Sequence, residues 1–145
     1  MKTLEQIRQE LEVETLCSMN QSRTVNIESS VGTFALCGCT GIIAVGDRSV
    51  HLSHYDPMSL NIQVAHLANF LRDEPTAKIY VAATTNFEQI GNKYIERIDP
   101  RITNLAMLAV ATITGYSSLC SMNETVLSRS IRWNGKSVLF GGAIS

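Results

Sequence analysis

No run of this sequence is apolar long enough to cross a bilayer. The longest, Leu105 to Ala111, is about a third of the roughly 20 residues a spanning helix needs. The first residues, from Met1 to Glu12, carry charges where a signal peptide requires an apolar stretch. These two absences predict a protein that is soluble and made in the cytoplasm, with no membrane partner; delivery as an effector without a signal peptide fits the same sequence. One sign of charge does not dominate either, since 12 Lys and Arg stand against 13 Asp and Glu, for a net charge of −1. Without a basic field, nucleic acid is not an expected partner. Cysteines are few, at positions 17, 37, 39 and 120, and in a chain lacking an export signal they read as thiols rather than a disulfide framework. No internal repeat, low-complexity segment or charged tail interrupts the 145 residues, so a single domain over 1–145 is expected, large enough to bury about two thirds of its extended surface. Nothing in the chain calls for a cofactor.

What is present is a mixture of helical and strand patterns. Residues 3 to 16 predict an amphipathic helix with Thr3 as N-cap, Gln6 completing a capping box, and Leu4, Ile7, Leu11 and Leu16 on one stripe. Arg23 to Glu28 alternates as a strand with Val25 and Ile27 inward, and Ser29, Ser30 and Gly32 lead into a strand at Thr33. Asn61 to Arg72 has apolar residues at 62, 64, 67, 68 and 71, the clearest helical spacing in the chain, closed by Pro75. Lys78 to Thr84 predicts a buried strand, Phe87 to Arg97 a second helix, and 105 to 114 a further strand. Asn134-Gly135, between Ser130 and Phe140, predicts a hairpin with a type I′ turn. The order of elements implies an α+β fold, a mixed and mostly antiparallel sandwich-like sheet with two to three helices against it.

The candidate chemistry lies in Thr33-Phe-Ala-Leu-Cys37-Gly38-Cys39-Thr-Gly-Ile-Ile-Ala-Val45 and in the returning segment Arg48 to His54. Gly38 permits a tight turn under Cys39, and Ile42, Ile43 and Val45 then bury themselves in a strand. Val50, Leu52 and His54 share one period-two register, so His54 points to the sheet face of its apolar neighbours. A thiol at the mouth of one strand and an imidazole at the end of its antiparallel partner can meet, which is the minimum for nucleophilic acyl chemistry.

These residues resemble the cysteine deamidases related to the bacterial chemoreceptor glutamine deamidase CheD, whose Thr-x-x-x-x-x-Cys and following His match Thr33, Cys39 and His54. The Gly-Cys pair before an apolar strand resembles the catalytic domain of the cytotoxic necrotizing factor toxins. Cys-x-Ile-x-Val with Leu-Ser-His-Tyr-Asp resembles the protein N-terminal asparagine amidohydrolases. The resemblance covers roughly residues 25 to 85, and two positions depart from it: Cys37 and His51 stand where CheD usually has glycines. It implies hydrolysis of a Gln or Asn carboxamide, in a protein or peptide, to a carboxylate. Cys39 is then the nucleophile, His54 the acid and base, and Thr33 the hydroxyl holding the second ring nitrogen of His54. Backbone amides of Gly38 and Cys39 are candidates for an oxyanion hole. Asp56 is a rival to Thr33 for orienting His54, although an Asp-Pro turn residue more commonly caps its own backbone.

Two other classes compete with an enzyme. Cys37, Cys39, His51 and His54 are all acceptable zinc ligands, but His51 and His54 are an odd number of residues apart and fall on opposite faces of an unbroken strand. The chain also fits a non-catalytic interaction domain on a deamidase scaffold. His66 is expected on a solvated helix face, and Trp133 in a packing role beside the hairpin.

Overall fold

The computed structural model describes residues 2–36, 39–83, 86–91, 93–97, 121–127 and 130–141. The chain opens with α1 (Leu4–Leu11), nucleated by the expected box: Gln6 N–H donates to the Thr3 hydroxyl at 3.1 Å and Thr3 N–H to the Gln6 side chain at 2.8 Å. The helix stops well short of residue 16. Glu12 takes a left-handed conformation (φ +57°), and Leu16 enters the short strand β1 (Thr15–Leu16) instead of lengthening the apolar stripe. Arg132 donates to the carbonyl of Leu11 at 2.6 Å and so satisfies one of the orphan groups at that early terminus. Ile7 and Leu11 form the buried side of α1, whereas Leu4 remains 59% exposed.

Most of the strands that follow divide between two sheets. β2 (Gln21–Asn26), β4 (Thr40–Val45), β5 (Ser49–Tyr55), β6 (Lys78–Ala83) and β9 (Ser121–Leu127) form one, in the order β2-β5-β4-β6-β9. Its pairs are antiparallel except β6 with β9. β1, β3 (Val31–Thr33), β10 (Ile131–Trp133) and β11 (Val138–Phe140) form the other, ordered β1-β3-β10-β11, with only β1 and β3 parallel. The sheets pack face to face over Ile43, Val50, Leu52 and Ala82 from the first and Val31, Ile131 and Trp133 from the second. The outer face of the five-stranded sheet is covered by α2 (Leu60–Asp73), whose Val64, Leu67, Phe70 and Leu71 meet Ile42, Ala44, Ile79 and Val81. α1 covers Gly32 on the outer face of the smaller sheet, where an added Cβ would sit 3.2 Å from Val13 and 3.5 Å from Leu11. Among the described residues the result is α+β, with two mostly antiparallel sheets packed between two helices.

Two further expectations need correction. Residues 87 to 97 are not a helix: β7 (Asn86–Ile90) and β8 (Lys93–Arg97) pair antiparallel, Ile90 against Lys93, and Gly91 adopts φ +62° between them. A Gly-Asn pair between two such runs favours a hairpin over a helix, because glycine takes a positive φ without steric cost. The C-terminal hairpin does form, but Trp133 pairs with Val138, so the connection holds four residues and only Gly135 has positive φ (+94°). The Asn134 side chain instead accepts from the backbone of Lys136 and Ser137, an Asx-type turn that competes with type I′. The strand expected at 105–114 lies outside the described residues.

Candidate functional site

β4 and β5 bring the motif together. Thr40 pairs with Tyr55, Gly41 with His54 and Ile43 with Leu52, so Cys39, Gly41 and Ile43 share the sheet face of His54, Leu52 and Val50. Cys39 sits one residue before β4, diagonal to His54 across the open end of the ladder. It is a thiol, 5% exposed, in the cluster between the sheets. Directly opposite His54 stands Gly41, where a Cβ would lie 3.1 Å from Leu36 and 3.2 Å from Ile131. The missing side chain lets those two residues close over the strand beside the imidazole. A glycine inside an apolar strand is a signal of such close approach, and Gly41 is the site residue that the motif reading overlooked.

His54 is held from the other sheet. Its Nδ1 is 2.7 Å from the hydroxyl of Thr33, and that hydroxyl donates to the carbonyl of Cys17, also at 2.7 Å. A hydroxyl has one proton, so with that proton on the Cys17 carbonyl it accepts from His54, and Nδ1 carries the hydrogen. Nε2 is therefore the lone-pair nitrogen. It is buried with no hydrogen-bond partner among the described residues. Burial pushes the pKa of His54 down to about 4, so the ring is neutral at pH 7. The Cys17 carbonyl carries no motif in the sequence; it reaches Thr33 because β1 and β3 run in parallel, pairing Leu16 with Gly32.

Asp56 takes the role of a turn residue. Its carboxylate accepts from Ser59 N–H at 3.0 Å, capping the 3-10 turn Pro57–Ser59 that leads into α2, and Thr33 holds the nitrogen for which Asp56 was the rival. His51 points to the opposite face, as its odd spacing requires. There its Nδ1 is 2.9 Å from the Thr24 hydroxyl, and its ring stacks on Phe70 at 5.3 Å. Burial, helped by the nearby His66, pushes its pKa down to about 4 as well. With His51 and His54 on opposite faces of β5, a four-ligand zinc set including both does not converge. His66 is exposed and stacks on Tyr55, and Trp133 is buried with its indole N–H on the Ile27 carbonyl at 3.0 Å. Cys37 and the Gly38 half of the oxyanion hole lie outside the described residues.

The two described cysteines differ in surroundings. Cys17 is fully buried, its thiol 3.3 Å from the Gln21 carbonyl, and burial pushes its pKa up to about 12 against a weaker opposing pull from Arg23. That thiol is inert at neutral pH. Cys39 shares its sheet face with an imidazole.

No protein-family model matches the chain, and no curated protein does. Among solved structures the chain is similar to Neisseria meningitidis protein NMB0706, whose family model is DUF152, at 12% identity and a TM-score of 0.48. The match covers 83% of this chain and 65% of that one, so the chain spans less than two thirds of its neighbour's length. DUF152 is a family other than the CheD deamidases that the motif resembles. The likeness is a weak one of fold and carries no argument about chemistry. Among the described residues no helix is long and apolar enough to cross a membrane.

Proposed function

We propose that this protein is a cysteine-dependent amidohydrolase that converts the side-chain carboxamide of Gln or Asn, in a protein or peptide, to a carboxylate. The observation that carries the reading is the chain from the Cys17 carbonyl through the Thr33 hydroxyl to His54 Nδ1, which leaves Nε2 as a base on the sheet face of Cys39. The CheD-like match of Thr33, Cys39 and His54 supports the same roles. A chemistry that depends on a reduced thiol also suits the cytoplasm.

The reaction runs in two halves. Cys39 Sγ attacks the carboxamide carbon as its proton passes to Nε2. The tetrahedral adduct then breaks its C–N bond, Nε2–H delivers that proton to the departing nitrogen, and ammonia leaves a thioester. Water attacks the thioester with Nε2 taking a proton; the C–S bond breaks, the thiol recovers a proton from Nε2–H, and the carboxylic acid is released. The low pKa of His54 keeps its imidazole neutral at rest, so Nε2 is available to take a proton during the attack.

The test is incubation with Gln- and Asn-containing peptides, reading ammonia and the one-dalton mass gain of deamidation. Turnover is expected in the wild type and is lost in Cys39→Ala and His54→Ala. Equal turnover in Cys39→Ala removes the mechanism, and wild-type silence on a broad peptide library favours an interaction domain instead.

A further inference from the structure

The reverse face of the five-stranded sheet carries a polar contact at the level of the site. Gln63, on the buried side of α2, is 0% exposed among Val64, Leu67 and Leu71. Its Nε2 donates to the Thr40 carbonyl at 2.9 Å and the Ser53 hydroxyl at 3.0 Å, with the Ser53 carbonyl at 3.4 Å. Two carbonyls near this nitrogen need a donor, which fixes the orientation of the amide. Its Oε1 has no hydrogen-bond partner among the described residues. Packing alone does not favour such a residue, since a leucine would fill the space without burying an unsatisfied oxygen.

The two backbone positions it joins are those of the site. Thr40 directly follows Cys39, and Ser53 directly precedes His54. Thr40–Tyr55 is the last pair of the β4–β5 ladder, and Cys39 lies beyond it, where the ladder no longer fixes the backbone. The helix is also anchored close by, because the Asp56-capped turn after β5 sets where α2 begins.

We propose that Gln63 is a positioning residue that ties the strand end bearing Cys39 to the strand bearing His54 from behind the sheet. The inference rests on the catalytic reading of that pair.

The test compares Gln63→Met with the wild type and with His54→Ala. Methionine keeps the length and apolar body of the side chain and removes both N–H donors. The pH dependence of kcat/KM on a carboxamide peptide is followed from pH 5 to 10, with Trp133 fluorescence reporting the fold. Gln63→Met is expected to lower kcat/KM at pH 7 about tenfold or more, toward the level of His54→Ala. On a carboxamide peptide that the wild type turns over, kcat should fall about 10- to 100-fold while KM moves less than about threefold, the pattern of a misplaced group and not of lost binding. Ser53→Ala removes one acceptor without emptying the helix face, and it should shift the profile the same way by about threefold; it serves if Gln63→Met does not fold. A folded variant whose profile superposes on the wild type overturns the positioning role. Identical profiles in the wild type and His54→Ala overturn the catalytic pairing itself, and the inference falls with it.

Discussion

Acidification should unfold this protein through its two interior histidines. His51 and His54 are 4% and 3% exposed, and both are held near pKa 4 against an ordinary 6.5. Between those values the unfolded chain binds protons that the native state refuses. Stability is therefore complete above about pH 6.5 and is lost as pH falls through the folded value near 4. A difference of about 2.5 units at about 1.36 kcal/mol each gives about 3 kcal/mol per histidine when the loss is complete. At pH 5 the loss is about 2 kcal/mol per histidine, or about 4 kcal/mol together, a large fraction of the roughly 5–15 kcal/mol that holds a domain. Urea unfolding at pH 7.5, 6 and 5 measures this directly. The reporter is Trp133, whose buried indole bonded to Ile27 is exposed to water on unfolding. His51→Gln should remove about half of the pH dependence. A midpoint at pH 5 equivalent to less than about 1 kcal/mol below that at pH 7.5 would refute the claim that both rings are buried and neutral. On the alkaline side the sign reverses for Cys17: its raised pKa contributes stability that is intact below about 9 and lost as pH climbs toward 12.

Thr33→Val strands the Cys17 carbonyl and the His54 Nδ1–H without partners and should cost about 2–5 kcal/mol in urea unfolding, while Thr33→Ser, which keeps the hydroxyl, stays within about 1 kcal/mol. Gly46→Ala should also destabilise by about 2 kcal/mol or more, because a Cβ there would lie 1.5 Å from the Glu74 carboxylate that accepts from Arg48 and Ser49 N–H; in a Glu74→Ala background most of that penalty should vanish in a double-mutant cycle. Mass-mapped alkylation of the folded protein at pH 7 should label Cys39 well ahead of Cys17, and equal labelling of the two would remove the distinction drawn between their environments.

The site was legible where its geometry follows from strand alternation. Val50, Leu52 and His54 in one register, and the odd spacing to His51, decide which face carries the imidazole, and no tertiary information is needed. Asp56-Pro57 and the Thr3–Gln6 box were readable for the same reason: each is a contact within a few residues, made by the turn or helix itself. Non-local pairing is a different matter. The acceptor behind Thr33 is a backbone carbonyl sixteen residues away, and any residue could supply it, so no side chain advertises it. Leu16 continues the apolar spacing of α1, yet β1 pairing with β3 claims it, which is tertiary structure overriding a local pattern. At 87 to 97 a helical spacing competes with the turn signal in Gly91, and the hairpin wins because glycine takes the positive φ between the paired strands without steric cost.

The relay behind His54 ends on a neutral carbonyl, and this sets the last expectation. In a triad closed by a carboxylate, the negative charge stabilises the imidazolium and raises the pKa of the histidine. Here the nearest such group in sequence, Asp56, caps Ser59, and the hydroxyl of Thr33 takes its place. A hydroxyl fixes the tautomer equally well but brings no charge, so burial wins and the ring stays neutral down to about pH 4. Under the proposed mechanism His54 is then an available base throughout the physiological range, and its imidazolium exists only while the proton is in transit between sulfur and nitrogen. Turnover on a carboxamide peptide should accordingly hold its kcat/KM well below pH 6.5, with an acid limb that belongs to the coupled Cys39–His54 pair. The same variable is read independently by following the His54 imidazole signals by NMR in Cys39→Ala, where no thiol shares the proton. A titration midpoint there at or above 6.5 would mean that the ring is charged or solvated in the native state, and the neutral-imidazole mechanism would have to give way to a preformed thiolate–imidazolium pair.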